Sequence, residues 1–347
     1  MLQTLGTFPP GVKADTITRL KVLSELLTYR TDVPQEGRIR DPSATIEMRV
    51  STFPTLHGEK CVVRIFAADA QFPFLEDLGL PTALCQQLNR LLDETAGAIL
   101  ITGPAGSGKT TTAYACLREL TRRSAGRSMA TLEDPIEVAL AGVAQSQVNV
   151  RAGFDLATGL RSLLRQDPQV ILVGEMRDPV TAGIALQASL TGQLVLTTFH
   201  AGSAAGALSR LADMGVEPYV LRSGVLAVVC QRLVRKLCQC SVESASPEAR
   251  LGLAVAHARL PQGCPQCHGT GYLGRTLLAE MLTLDQGETP AAILARADRM
   301  VIEQAALAGG MQSRWHWANR AVESGITSAA EVRRVLGFTD ALEPDAG

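Results

Sequence analysis

Residues 103–110 set Gly103, Gly106 and Gly108 ahead of Lys109 and Thr110, in the spacing G-x-x-x-x-G-K-[ST]. That spacing is suited to phosphate. The glycines let the backbone curl so that several N–H groups point at one anion, and a following helix adds its positive end. The binding stretch is then Gly103, Pro104, Ala105, Gly106, Ser107, Gly108, Lys109, Thr110 and Thr111. Lys109 would reach the β- and γ-phosphates of a nucleoside triphosphate, and the Thr110 hydroxyl would ligate Mg2+. Hydrolysis needs carboxylates nearby, and two sets are available. The apolar run Val170-Ile171-Leu172-Val173 is closed by Gly174 and Glu175, a carboxylate suited to hold the waters of Mg2+. Glu133, Asp134 and Glu137 crowd three carboxylates together, which is costly unless a cation offsets them. Within that cluster one carboxylate, with Glu133 the candidate, would polarise the attacking water while another completes the metal's outer shell. Taken alone, the cluster reads equally well as a solvated acidic turn. His200 ends a third apolar run and is placed to sense the γ-phosphate, although a single histidine serves structure more often than chemistry.

These side chains can act together only if strands deliver them to one edge. Ala98–Thr102 reads as a strand before the glycine-rich run, and Thr111–Leu120 as a helix behind it. From about residue 82 to 235, helical stretches alternate with apolar runs at 98–102, 128–132, 170–173 and 194–198. That alternation predicts a parallel sheet covered by helices, with ligands at its C-terminal edge. The first 75 residues read as a small α+β unit. It has a helix over Ala14–Leu27 with Asp15 as N-cap, strands over Thr45–Ser51 and Lys60–Phe66, and a turn containing Pro54 and Gly58. Phe74–Leu80 connects it onward and is closed by Pro81. The expected organisation is a partial N-terminal α+β domain over 1–75, an ATPase core over 76–235, a cysteine-rich subdomain over 236–280 and a helical region over 281–347. Breaks are expected near Gly309-Gly310 and Gly325, and fraying beyond Phe338.

Composition narrows the function. With 347 residues and 46% hydrophobic content the chain supports more than one globular core, and a net charge of −1 leaves no electrostatic footprint for nucleic acid. No apolar run approaches the ~20 residues of a membrane span. Met1-Leu2-Gln3-Thr4 carries no basic n-region, so the expectation is a cytoplasmic protein that meets a membrane through a partner. Eight cysteines in that setting imply reduced thiols or a metal.

The boxes in this order resemble the motor ATPases of type II secretion and type IV pili, the GspE/PilB/PilT family. Leu163–Pro168 leading into Val173–Asp178 resembles that family's Walker B region, Thr131–Glu137 its Asp box and Thr191–His200 its His box. Arg49–Thr55 with Gly58–Lys60, Gln231–Arg235 and Gly325–Thr327 fall where the family has similar runs. The resemblance implies a RecA-like core, a homohexameric ring, and ATP held between an N-terminal domain and that core. Domain rotations would then move pilins or pseudopilins through an inner-membrane platform protein. It implies catalytic arginines from the N-terminal unit, carried over to Arg49 and Arg64, with Arg38 as a third candidate.

Cys238-Gln239-Cys240 and Cys264-Pro265-Gln266-Cys267 stand where the family's metal-binding members have two C-x-x-C knuckles, which suit structural Zn2+. The first knuckle is one residue short here, so a metal-free loop is the alternative. The cysteines favour the secretion and pilus-extension branch. Gln193 replaces the His box's usual first histidine and cannot be cationic. The family also carries a further N-terminal domain and an opening strand region, neither of which precedes Met1 in this sequence. The leading reading is an ATP-hydrolysing motor. A nucleotide-binding regulatory paralogue and a DNA-directed RecA-like motor are the others.

Overall fold

The computed structural model describes residues 6–9, 12–40, 46–67, 74–123, 126–285 and 287–338. The chain divides into two compact units, residues 1–71 and 72–347. In the first unit, helix α1 (Val12–Leu23) precedes an antiparallel sheet of β1 (Gln35–Arg40), β2 (Ile46–Thr55) and β3 (Gly58–Ala67), in that order. One sheet face buries Ile39, Val50 and Thr52. Gly37 shares that face, and a Cβ there would stand 2.2 Å from the Ser24 carbonyl oxygen just after α1. The helix begins earlier than the pattern predicts, so Asp15 lies in its first turn and supports the helix dipole instead of capping it. Pro54 is a strand residue of β2, not a turn residue. Strand β1 pairs with β2 no further than Thr52, so the N–H that proline lacks removes no ladder bond.

The second unit begins with α2 (Thr82–Leu92), β4 (Gly97–Thr102), α3 (Lys109–Arg123), β5 (Met129–Glu133), β6 (Ala144–Gln147), α4 (Leu156–Leu163) and β7 (Val170–Val173). It continues through α5 (Pro179–Leu190), β8 (Leu194–Phe199), α6 (Ala204–Asp213), α7 (Pro218–Gly224) and β9 (Val225–Leu237). A two-stranded pair, β10 (Val242–Ser244) and β11 (Ala258–Leu260), precedes β12 (Tyr272–Thr283). Four helices follow: α8 (Thr289–Leu294), α9 (Arg299–Ala308), α10 (Arg314–Glu323) and α11 (Ala329–Leu336).

The seven-stranded sheet has the order β12-β9-β4-β8-β7-β5-β6. All neighbours run parallel except β12, which returns antiparallel beside β9. Successive residues of β4 feed opposite cores. Ile99 and Ile101 pack with Tyr114 and Leu117 of α3, while Ala98 and Leu100 pack with α5 and α6 residues such as Leu186 and Leu208. Burial on both faces is why β4, β7 and β8 read as continuous apolar runs. Strands β9 and β12 carry polar residues among the apolar ones and are not evident from periodicity. Strand β12 runs across residue 280, where composition alone places a boundary. The expected fraying beyond Phe338 concerns residues outside the described ones. The described residues contain no helix long and apolar enough to cross a membrane.

Candidate functional site

Strand β4 ends at Thr102 and α3 begins at Lys109, so six residues curl between them. Gly103 adopts φ +148°, and a Cβ there would meet the Gln231 carbonyl oxygen and the Ser107 hydroxyl at 2.5 Å. Only glycine fits that approach. Gln231, fully buried on β9, supports the loop from below by donating its Nε2 to the Ser107 carbonyl at 2.8 Å. Lys109 Nζ donates to the Gly103 and Pro104 carbonyls, both at 3.1 Å. Burial pulls the Lys109 pKa below its ordinary value, and Arg232 adds to this while the Glu175 charge opposes it.

Glu175 follows β7 and His200 follows β8, and these strands are neighbours. Two contacts fasten the strand ends together: the Thr198 hydroxyl donates to the Gly174 carbonyl, and the Met176 N–H to the Thr198 carbonyl at 3.1 Å. His200 Nε2 then lies 2.6 Å from Glu175 Oε1, and Arg177 Nε donates to Glu175 Oε2 at 2.6 Å. Glu133, the last residue of β5, is nearly fully buried. Its Oε1 accepts from Thr131 at 2.6 Å and from Gln145 Nε2 at 3.2 Å, and its Oε2 accepts from the Tyr114 hydroxyl. Burial first, then the hydrogen bond to Glu133, push the Tyr114 phenol above its ordinary pKa and keep it a donor. Glu137 donates its N–H to the same hydroxyl at 3.2 Å.

One cleft is lined by Ala105, Lys109, Thr110, Glu133, Glu175, Arg177 and His200, at the C-terminal edge of the parallel strands. The glycine-rich loop, both carboxylates and the histidine are thus brought together. The hard oxygen donors Thr110, Glu133 and Glu175 suit Mg2+. Gln193 stands at the opposite end of β8 from His200, a strand length or roughly 20 Å away. Its side chain accepts from Thr191 at 3.0 Å, so no charge at position 193 reaches the cleft. Tyr114, Gln145 and Arg177 are not singled out by sequence reasoning. Arg177 lies inside the Walker B-like run, and its charge two residues from Glu175 is the signal that marks it.

Arg49 and Arg64 belong to the first unit. Register pairs Arg38 with Arg49 and Arg49 with Arg64, which sets all three in one row across one sheet face. Like charges directly opposite each other are unfavourable.

The cysteine cluster is in the second unit. Cys238, Cys240, Cys264 and Cys267 place their Sγ atoms within 4.8 Å of one another. Cys238–Cys264, Cys240–Cys267 and Cys264–Cys267 are 3.8, 3.9 and 3.7 Å apart. Thiolates held tetrahedrally about 2.3 Å from an ion stand ~3.8 Å from one another, so the four sulfurs fit a metal. The short first knuckle does not prevent convergence. Burial raises the Cys267 thiol, but the Cys264 and Gly271 N–H groups outweigh it and bring the pKa to about 6. Burial pushes Cys240 up to about 11.

A glycine-rich loop between a central parallel strand and its helix, with carboxylates and a histidine on the adjoining strand ends, defines a P-loop nucleotide-hydrolysing core. The chain matches the family model "Type II/IV secretion system protein" over residues 7–334. It is 43% identical over 346 residues to the putative type II secretion system protein E of Escherichia coli, covering 95% of this chain and 68% of that protein. It is 39% identical over 342 residues to the type IV pilus assembly ATPase PilB of Thermus thermophilus, covering 95% of this chain and 38% of PilB. Among solved structures, the pilus retraction motor PilT with bound ADP aligns with a TM-score of 0.66 at 23% identity, covering 89% of this chain and 78% of PilT, which shows a shared fold. The chain belongs to the type II/IV secretion system protein family, which includes secretion and pilus ATPases. The expected fold class, a P-loop α/β core with a small α+β unit, a cysteine-rich segment and C-terminal helices, is the one observed.

Proposed function

We propose that this chain hydrolyses ATP within a ring of six copies and couples hydrolysis to type II secretion or pilus assembly through an inner-membrane platform protein. The observation that carries the reading is the convergence of Lys109 and Thr110 with Glu133, Glu175 and His200 in one cleft. Lys109 binds the β- and γ-phosphates, and the Thr110 hydroxyl with Glu175 holds Mg2+ through its water shell. Mg2+ held there would supply charge neutralisation for the phosphates. Glu133 is fixed by three side-chain donors and keeps one orientation. Glu175 is held by Arg177 and His200, each at 2.6 Å, and Glu133 in the same cleft is the carboxylate that polarises the attacking water. His200 reports the γ-phosphate to Glu175.

Arg49 and Arg64, with Arg38 as a third candidate, serve as the catalytic arginines of this reading. Arginines of this kind stabilise the charge that develops on a transferring phosphoryl group. Cys238, Cys240, Cys264 and Cys267 would hold Zn2+, whose role there would be structural, a staple for the cysteine-rich segment.

Phosphate release by the purified oligomer tests the reading against Lys109→Ala. A regulatory, non-hydrolysing chain would show no difference between the two, whereas salt-sensitive stimulation by DNA would point to a nucleic-acid motor. Arg49→Ala should keep ATP binding and lose turnover, and unchanged turnover would remove the arginine role. Metal analysis of protein prepared without chelator should find about one zinc per chain.

A further inference from the structure

Glu280 is a buried carboxylate that the hydrolytic cleft does not use. It lies on β12, only 2% exposed, and its two oxygens serve the ends of two helices. Oε1 accepts from the N–H of Ala204, the first residue of α6, at 2.8 Å. Oε2 accepts from the N–H of Arg314, the first residue of α10, at 3.4 Å. Both helix starts carry partial positive charge, so a carboxylate placed between them is bound by both. It joins the helix that follows His200 to a helix of the C-terminal region.

Arg314 extends the link. Its Nη1 donates to the Gly202 carbonyl at 2.6 Å while standing 3.8 Å from Glu280 Oε1. The same carbonyl accepts from Arg232 Nη2 at 2.8 Å, and the His200 carbonyl accepts from Arg210 Nη1 at 2.8 Å. Residues 200–204 are therefore tied by guanidinium groups from three different elements, with Glu280 holding their far end. Ser203 caps α6 by accepting from Gly206, which sets the direction in which the segment leaves the helix. Every one of these bonds fixes main-chain position, and none involves the His200 imidazole. The imidazole faces Glu175 because its backbone is held.

We infer that Arg314 and Glu280 are positioning residues for His200, and that through them the C-terminal helices form part of the support of the hydrolytic site. The inference rests on the reading of His200 as a member of that site. Removing Arg314 leaves the Gly202 carbonyl on Arg232 alone and loosens the segment that carries His200, and misplacement of a catalytic group by about 1 Å costs on the order of 10²-fold in rate.

The test is a kinetic cycle on the full chain, with ATP turnover and the Kd of a fluorescent ATP analogue as readouts. Arg314→Ala is expected to lower kcat about 10–100-fold with analogue binding within about two-fold of the parent. Arg314→Lys, which still brings a cation to the Gly202 carbonyl, should recover much of that loss. The decisive variant is Arg314→Ala combined with His200→Ala, expected to be no slower than His200→Ala alone, because Arg314 acts through the histidine. A double variant that loses the product of both factors, or an Arg314→Ala protein that is folded and turns over normally, overturns the inference. If Arg314→Ala does not fold, Glu280→Gln carries the same cycle. Unchanged turnover in His200→Ala overturns the reading of the site itself, a different result from failure of the cycle.

Discussion

The nucleotide cleft and the cysteine cluster are built in opposite ways. The cleft gathers Lys109, Glu133, Glu175 and His200 at or beyond the C-terminal ends of four different parallel strands, β4, β5, β7 and β8. No pair of those residues is close in sequence, and the sheet order alone makes them neighbours. The cluster gathers four thiols from two short knuckles, Cys238–Cys240 and Cys264–Cys267, joined by a small hairpin pair. One site therefore depends on a core that must fold first. The other carries its own crosslink once a metal binds. Chemistry that needs donors at fixed distances from a reacting phosphate is placed on the rigid sheet, and the four thiols lie in a loop-rich segment whose apolar residues Leu253, Val255 and Ala258 join the main core.

That contrast predicts a separation of effects. Lys109→Ala should reduce phosphate release about 10³-fold or more while leaving metal content and thermal midpoint near the parent values. Loss of zinc in that variant would show the two sites to be coupled. Tyr114→Phe deletes one hydroxyl from the Glu133 network and should cost on the order of 10-fold in turnover, read as kcat at saturating ATP. A normal kcat would mark the Tyr114 bond as structural alone. Cys264→Ser should abolish stoichiometric zinc and lower the thermal midpoint by several degrees, roughly 2 kcal/mol or more, with turnover changed by less than about five-fold. A collapse of turnover would mean that the staple also shapes the cleft.

The smallest expected effect lies at the cysteine side of the sheet. Glu331 on α11 is buried and binds Arg235 of β9 and Arg334. Burial raises its pKa, but the Arg334 and Arg235 hydrogen bonds outweigh this and hold it at about 2, below the ordinary 4.5. Because the folded value is depressed, the stabilisation is complete above pH 4.5 and disappears as pH falls toward 2. The difference in stability between the parent and Glu331→Gln, on the order of 2 kcal/mol near neutrality, should therefore shrink across that window. A pH-independent difference in denaturant midpoints would show that packing, not charge, is what Glu331 supplies.

Sequence pattern reveals β4, β5, β7 and β8 because strands buried on both faces are dominated by apolar residues. It does not reveal β12, which near its start carries the exposed stretch Leu273–Arg275, or β9, which carries polar residues in its second half. Gln231 illustrates the consequence: it lies in a strand that the pattern does not mark, and only the fold brings it beneath the glycine-rich loop.

The sequence by itself determined the phosphate loop, the acidic strand ends, His200 and the four cysteines, because each is a local pattern whose residue types are dictated by the chemistry they serve. The tertiary structure alone decided that Glu175 meets His200 and Arg177, that Glu133 is enclosed by Tyr114, Thr131 and Gln145, and that Arg38, Arg49 and Arg64 share one row. It also decided that Glu280 and Arg314 reach the segment after His200. The reason is physical. Strand register, sheet order and the direction of a helix start are set by packing between distant segments, which no local spacing encodes.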